Sequence, residues 1–390
     1  MDSRVKHERK TENPQRVQQS PFRRILSLLL VLITVLGVVL AAVYFDMNSF
    51  ESVRRLFTYS AEQRSEQTVL YNYTGDRSNT FALFGDHLLV ASQTRIDLFA
   101  EDGTTIYSRT VQLDTPAIEV GTACAVVYDV GGSALYRIDT RGRETDMTIE
   151  DGEALISVRV GVGDFITVTS TKSRYKASVS VYNAATECIY TLDSANRYVV
   201  DANVLPGGRM LASLTLGQED NVFSSSLLLS PLDGASASIT APVGDDVALR
   251  LECAGDAIGV LMQDEMVFFS ADGTLRSRYG FGNSQLASFA CGDFAALVFK
   301  SASASAESTI VTLSFEGAVI SRLDTTDEVR HISCAGRYLS VLSGRDLRIY
   351  TSDLAGYASA AEADYAKSSI MRTDGTALLL GTSSARLFVP

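Results

Sequence analysis

The sequence predicts an all-β chain, an eight-bladed β-propeller preceded by one transmembrane α-helix, with seven blades as the alternative count. Three observations lead there. Beyond Phe45 the chain is dominated by apolar runs of four to eight residues, such as HLLVAS, ACAVVYDV, FITVTS, AIGVLM and FAALVF, bounded by Gly, Asp and Ser. That is the signature of short strands joined by tight turns. A glycine stands just before one run in each unit, at Gly85, Gly121, Gly163, Gly208, Gly255, Gly292, Gly336 and Gly375, at spacings of 36 to 47 residues. A second turn follows about two strands later, at Asp102-Gly103, Arg141-Gly142, Asp233-Gly234, Asp272-Gly273 and Glu316-Gly317. Gly356 takes that place in the seventh unit, and the third reads NAATE instead. Four short antiparallel strands at a period near 40 residues make a propeller blade.

The elements follow in chain order. Residues 1–24 hold seven Lys/Arg against three Asp/Glu and almost no apolar side chains, so they cannot bury a core and read as a disordered basic tail. Residues 25–45, ILSLLLVLITVLGVVLAAVYF, carry no charge over 21 positions. About 20 apolar residues span a bilayer as a helix, which satisfies its own backbone hydrogen bonds. Arg23 and Arg24 precede this span, and the positive-inside bias puts the N-terminus in the cytoplasm and the rest outside. A cleaved signal peptide is the competing reading, but its apolar core runs only about 7–15 residues. Residues 46–66 read as a linker in which Phe50, Val53, Leu56 and Phe57 fall at the spacing of a short helix.

Residues 67–390 form the propeller. In the fifth unit the four strands read VALRLEC, AIGVLM, EMVFFS and TLRSRYG. The eighth unit ends at Pro390 without its outermost strand, and QTVLYNY (Gln67 to Tyr73) is a strand with no blade of its own. Pairing that strand with RLFV (Arg386 to Val389) closes the ring and removes an exposed sheet edge. Polar insertions at Thr169–Ser178, Leu216–Ser226 and Ser301–Ser308 all fall between the second and third strands of their blades. They belong on one rim, where binding loops sit. Cys253, Cys291 and Cys334 end the innermost strands of blades five to seven and read as free, buried thiols, the ordinary state of a small apolar cysteine.

These GD turns and ADG hairpins resemble the propellers of the pyrroloquinoline-quinone-repeat and WD-repeat superfamily. The order of basic tail, membrane span and propeller resembles a family of Gram-positive bacterial membrane proteins of unknown function. The resemblance implies an extracytoplasmic propeller and lends no catalytic residues. Quinone-dependent relatives dock their cofactor through tryptophan motifs, and this chain has no Trp.

No cofactor or metal site is expected. Only His7, His87 and His331 are available as bases or ligands, and no G-x-S-x-G elbow is present to host a nucleophile. The whole chain carries −12 and its first 24 residues +4, so the remainder carries −16, which argues against nucleic acid. Arg159, Arg250, Arg330 and Arg372 fall on expected innermost strands and mark a candidate anion site in the shaft, as a ring of cations facing carboxylates or another anion. Glu219 and Asp220, in the blade-four insertion, are candidate rim contacts. The resulting expectation is a single-pass membrane protein whose extracytoplasmic propeller is a non-catalytic scaffold for a protein or envelope polymer. An envelope hydrolase acting on glycan, or a ligand sensor, is the alternative.

Overall fold

The computed structural model describes residues 68–390 other than 150–152, 220–221, 235–236 and 301–306, together with Thr34. The expected tail (1–24), span (25–45) and linker helix (46–66) therefore lie outside the described residues. Among the described residues no helix is long and apolar enough to cross a membrane. Thirty-two strands, β1 to β32 in chain order, form eight four-stranded antiparallel sheets among the described residues. Seven sheets are sequential and the eighth is β1-β32-β31-β30. This is the eight-bladed ring, and the count of seven is excluded.

Blade five repeats the strand order read from its sequence: β18 (Ala248–Ala254), β19 (Ala257–Met262), β20 (Glu265–Ser270) and β21 (Leu275–Gly280). Its second strand is buried at every position. A middle strand of a blade is covered on both faces by the neighbouring blades, so its side chains need not alternate apolar and polar. Buried clusters accordingly straddle consecutive blades. Leu214, Leu227 and Val243 of blade four pack with Ile258, Val260 and Phe269 of blade five, and Phe268 of blade five packs with Leu297 and Val311 of blade six. Each such side chain contributes about 1.5–3 kcal/mol on burial.

Closure occurs where expected, with a shifted register. β1 (Thr68–Asn72) pairs with β32 (Ser384–Phe388), Thr68 opposite Leu387 and Asn72 opposite Ser384, with a bulge between Val69 and Tyr71. The residues that anchor this strand are not Val69, which is 46% exposed, but Tyr71 and Tyr73, which are buried. Tyr71 lies edge-on to Phe99 of blade one at 6.1 Å, and Tyr73 packs on Phe81 at 5.2 Å. The outermost strand of the last blade is thereby fixed to the first blade by its side chains.

The turn glycines follow two rules rather than one. Gly103 has φ of +82°, and a Cβ there would collide with the carbonyl oxygen of Leu70, the bulged residue of β1. Gly121 and Gly292 do not have a positive φ; they are small because Val160 and Asp164, and Cys334, approach them closely. The third unit, which lacks the second-turn glycine, places Thr186 at φ +64°, and Leu354 at +60° does so in the seventh.

In every blade the innermost strand begins at the rim that also carries the hairpin between the second and third strands. We call this the upper rim; the marked glycine turns form the lower one. β1 starts at the lower rim, because Thr68 sits opposite the last residues of β32.

Candidate functional site

An innermost strand has a sheet partner on one side only, so its shaft-facing edge leaves backbone N–H groups that need other acceptors. In this protein, side chains of the neighbouring blade supply them. The Leu251 N–H of β18 donates to Asp201 Oδ2 at 3.0 Å. Asp201 lies on β14 (Tyr198–Val204), the innermost strand of blade four, just after a bulge between Val199 and Asp201. The same carboxylate accepts from the Ser157 hydroxyl at 2.8 Å and from Arg159 Nε at 2.9 Å, both on β10 (Leu155–Val160) of blade three. Arg159 also donates to the Leu251 carbonyl at 3.2 Å and reaches Glu119 of blade two at 3.3 Å. Four blades are tied together around one buried ion pair.

The electrostatics of this cluster follow from its burial. Burial raises the Glu119 carboxyl above its usual range; Arg159 and Arg250 oppose this, while Asp201 and Glu252 add to it. Burial works to lower the Arg159 guanidinium, but Asp201, Glu119 and Glu252 hold it above its ordinary value. Arg159 is thus a cation already matched by carboxylates.

The four arginines read from the sequence do not form one ring. Arg159 and Arg250 lie on innermost strands near Glu119, and Arg250 pairs with Glu252 of its own strand. Arg330 precedes its strand, β26 (His331–Ala335), and donates from Nε to the Ser343 carbonyl at 2.8 Å. Arg372 follows β30 (Ser368–Met371), is buried, and lies against the Tyr71 phenol. The cause is position along the strand: a marker glycine fixes where the strand ends, but offsets of three to six residues scatter side chains over its length and both its faces.

Cysteines resolve in two ways. Cys253, Cys291 and Cys334 are free and lie at the ends of their strands. Burial pushes the Cys253 thiol up to about 12, and Cys291 and Cys334 are raised as well. Such thiols are poor nucleophiles. Cys188 instead lies exposed on the outermost strand of blade three.

On the upper rim, blade four extends beyond a loop. β15 (Met210–Glu219) and β16 (Val222–Pro231) stay paired from Met210–Pro231 out to Glu219–Val222, so the insertion is a projecting ladder. Asp220 lies outside the described residues, and Glu219 is placed here by its backbone. Near the tip, Val222 and Phe223 are 52% and 46% exposed. Arg197 fixes the ladder's base, donating to the Ser224 hydroxyl at 3.2 Å. Next to Arg197, Tyr198 is 50% exposed, with Lys176 of the blade-three hairpin 4.9 Å over its ring. Tyr175 on that same hairpin is exposed too. Two adjacent hairpins and the start of β14 therefore bring Tyr175, Tyr198, Val222 and Phe223 to one sector of the rim.

A family model describing a family of unknown function (DUF5711) matches residues 58–356. The chain belongs to this family. No curated protein sequence is similar enough to count as a relative of this DUF5711 member. Among solved structures, its fold is similar to that of the computationally designed Ika8 protein, with a TM-score of 0.57 at 8% identity, covering 83% of this chain and 99% of that one. It is also similar to the C-terminal WD40 domain of Sif2, with a TM-score of 0.53 at 10% identity, covering 84% and 98%. At such identities the likeness concerns the fold alone, a WD40-like propeller.

Sequence reasoning missed Asp201, Ser157 and Glu119. The only signal for them in the chain is polar residues at positions on innermost strands where an apolar residue would pack.

Proposed function

We propose that this protein is a non-catalytic binding platform, anchored in a membrane by residues 25–45 with the propeller on the extracytoplasmic side, and that its upper rim at blades three and four takes a protein partner. The observation that carries this reading is the cluster of Tyr175, Tyr198, Val222 and Phe223, presented by two adjacent hairpins and the start of β14 on a closed ring. Aromatic side chains held on rigid elements are the usual anchors of protein interfaces. Lys172 and Lys176 lie beside them and supply a polar rim, and Glu219 and Asp220 remain proposed contacts.

The chemistry of the shaft supports the non-catalytic part. His331 accepts the Ser369 N–H at Nδ1, 3.3 Å away, so the neutral ring carries its proton on Nε2 and offers the shaft a donor rather than a base. The thiols of Cys253 and Cys291, on residues that are half-buried rather than buried as expected, are likewise held protonated by their desolvation.

Photo-cross-linking residues placed at Tyr198 and Phe223, with Leu275 on an outermost strand as control, test the proposal in cells. One recurrent protein adduct at the two rim positions and none at Leu275 is expected. Adducts at Leu275 alone would overturn it, and so would hydrolysis of glycan or peptide by the purified protein that His331→Ala abolishes.

A further inference from the structure

The shaft differs around its circumference and along its length. Towards blades two to five the shaft wall carries the paired charges of Glu119, Arg159, Asp201, Arg250 and Glu252, with Glu119 and Arg159 near the lower ends of their strands. Towards blades seven, eight and one, a cavity of about 410 Å³ opens, lined by Asn79, Thr80, Phe81, His331, Ser333 and Ser368 among others. This volume lies at the small end of ligand sites, which run from about 300 to 1,000 Å³.

None of the lining side chains is a carboxylate, lysine or arginine. Arg330, next in sequence to His331, is turned to the Ser343 and Ala363 carbonyls. The polar groups that remain are fixed in their roles. His331 uses Nδ1 as an acceptor towards Ser369, which leaves Nε2–H as its donor. Ser333 Oγ accepts the Met371 N–H at 3.1 Å, which leaves its hydroxyl hydrogen to donate. Asn79 spends its amide N–H on the Thr74 carbonyl at 3.0 Å, which leaves its side-chain oxygen as an acceptor. Phe81, held by Tyr73, supplies the apolar wall. Donors, acceptors and one aromatic ring around an uncharged space suit a molecule that carries several hydroxyls on a carbon frame.

We propose that this cavity binds one small uncharged polyhydroxylated molecule, the size of a single sugar unit. Its walls come from the first blade and the last two, so the ligand touches both ends of the propeller chain and binds only the closed ring. Such a ligand raises thermal stability by mass action. The site is separate from the rim sector of blades three and four.

The test uses full-length protein in detergent, with D-glucose, N-acetyl-D-glucosamine, D-glucuronate and glucose 6-phosphate as probes. Saturation-transfer NMR reads contact, and the melting midpoint reads linkage. At least one of the two neutral sugars should give saturation transfer and raise the midpoint, with the two anions at least about tenfold weaker, the discrimination a site without a cation gives. Methyl glycosides of the binding sugar separate the sources: retained binding indicates a unit within a polymer, and lost binding a free sugar. Ala82→Leu fills the cavity without removing a hydrogen bond and should abolish binding in a protein that still melts cooperatively; His331→Phe should weaken it by about tenfold or more, the worth of one hydrogen bond of about 1.4 kcal/mol. No response to either neutral sugar, a preference for the anions, or unchanged binding in Ala82→Leu would each overturn the proposal.

Discussion

The Tyr73 hydroxyl donates to the Gly381 carbonyl at 2.9 Å, joining residues 308 positions apart in the sequence. The Tyr73 backbone N–H also donates to the Ser383 carbonyl at 3.0 Å. These bonds clamp the first strand of the propeller onto its last blade, and Phe81 of the first blade packs on the same ring. Losing the clamp therefore opens the whole ring rather than one blade.

Tyr73→Phe should lower stability by about 1 kcal/mol, the net worth of one hydrogen bond, which is about 2 °C in a large domain. Deletion of the residues after Gly381 should lower the melting midpoint of the entire propeller in one transition. Calorimetry checks both. An unchanged midpoint in the truncated protein would contradict closure by β1.

Asp201 and Arg159 should behave as a coupled pair. Asp201→Ala leaves the Arg159 charge and the Leu251 N–H without their main acceptor, and should cost about 3–5 kcal/mol in urea unfolding. Adding Arg159→Met to Asp201→Ala should recover part of that loss. Additive losses in the double variant would show the pair to be uncoupled.

Glu119 sets a pH dependence whose sign can be worked out. Its carboxyl is raised in the folded state, so its contribution to stability is complete below the unfolded value of about 4.3 and is lost as pH climbs through the folded value. Glu119→Gln should match the native protein near pH 4 and be the more stable of the two at pH 7 to 8. A difference between them that shrinks as pH rises would refute the assignment. Thermal melts across that range read the difference directly.

Cys188 provides a built-in reporter of orientation, because it is exposed on the propeller while Cys124 is buried. In intact cells an impermeant maleimide should label the native protein and label Cys188→Ser much more slowly, because Cys253, Cys291 and Cys334 are half-buried with raised thiols. A cysteine introduced as Ser3→Cys in that background should react only after permeabilisation. The reverse pattern would place the propeller in the cytoplasm.

Gly103→Ala should be among the most damaging single-methyl changes in the ring. It forces a side chain into φ +82° and against the Leu70 carbonyl of the closing strand. Gly131→Ala has the same positive φ but open space around it, so it isolates the backbone cost of about 1–3 kcal/mol. A similar loss in both variants would mean that the contact with β1 adds nothing.

The number of blades, the strands within them and the strand that closes the ring were all legible in the sequence. These features are local: glycine turns recur every 36 to 47 residues, and each run between them is apolar because both blade faces are covered. The contacts in the shaft were not legible. Asp201 meets Leu251 across 50 positions, and His331 meets Ser369 across 38. Both bonds satisfy the unpaired edge of an innermost strand with a side chain from the preceding blade. Bulges such as those before Asp201 and Arg250 shift the face of every residue that follows them. Spacing along the chain therefore fixed the strands, while the direction in which Arg159 and Arg372 point was decided only when the blades packed around a common axis.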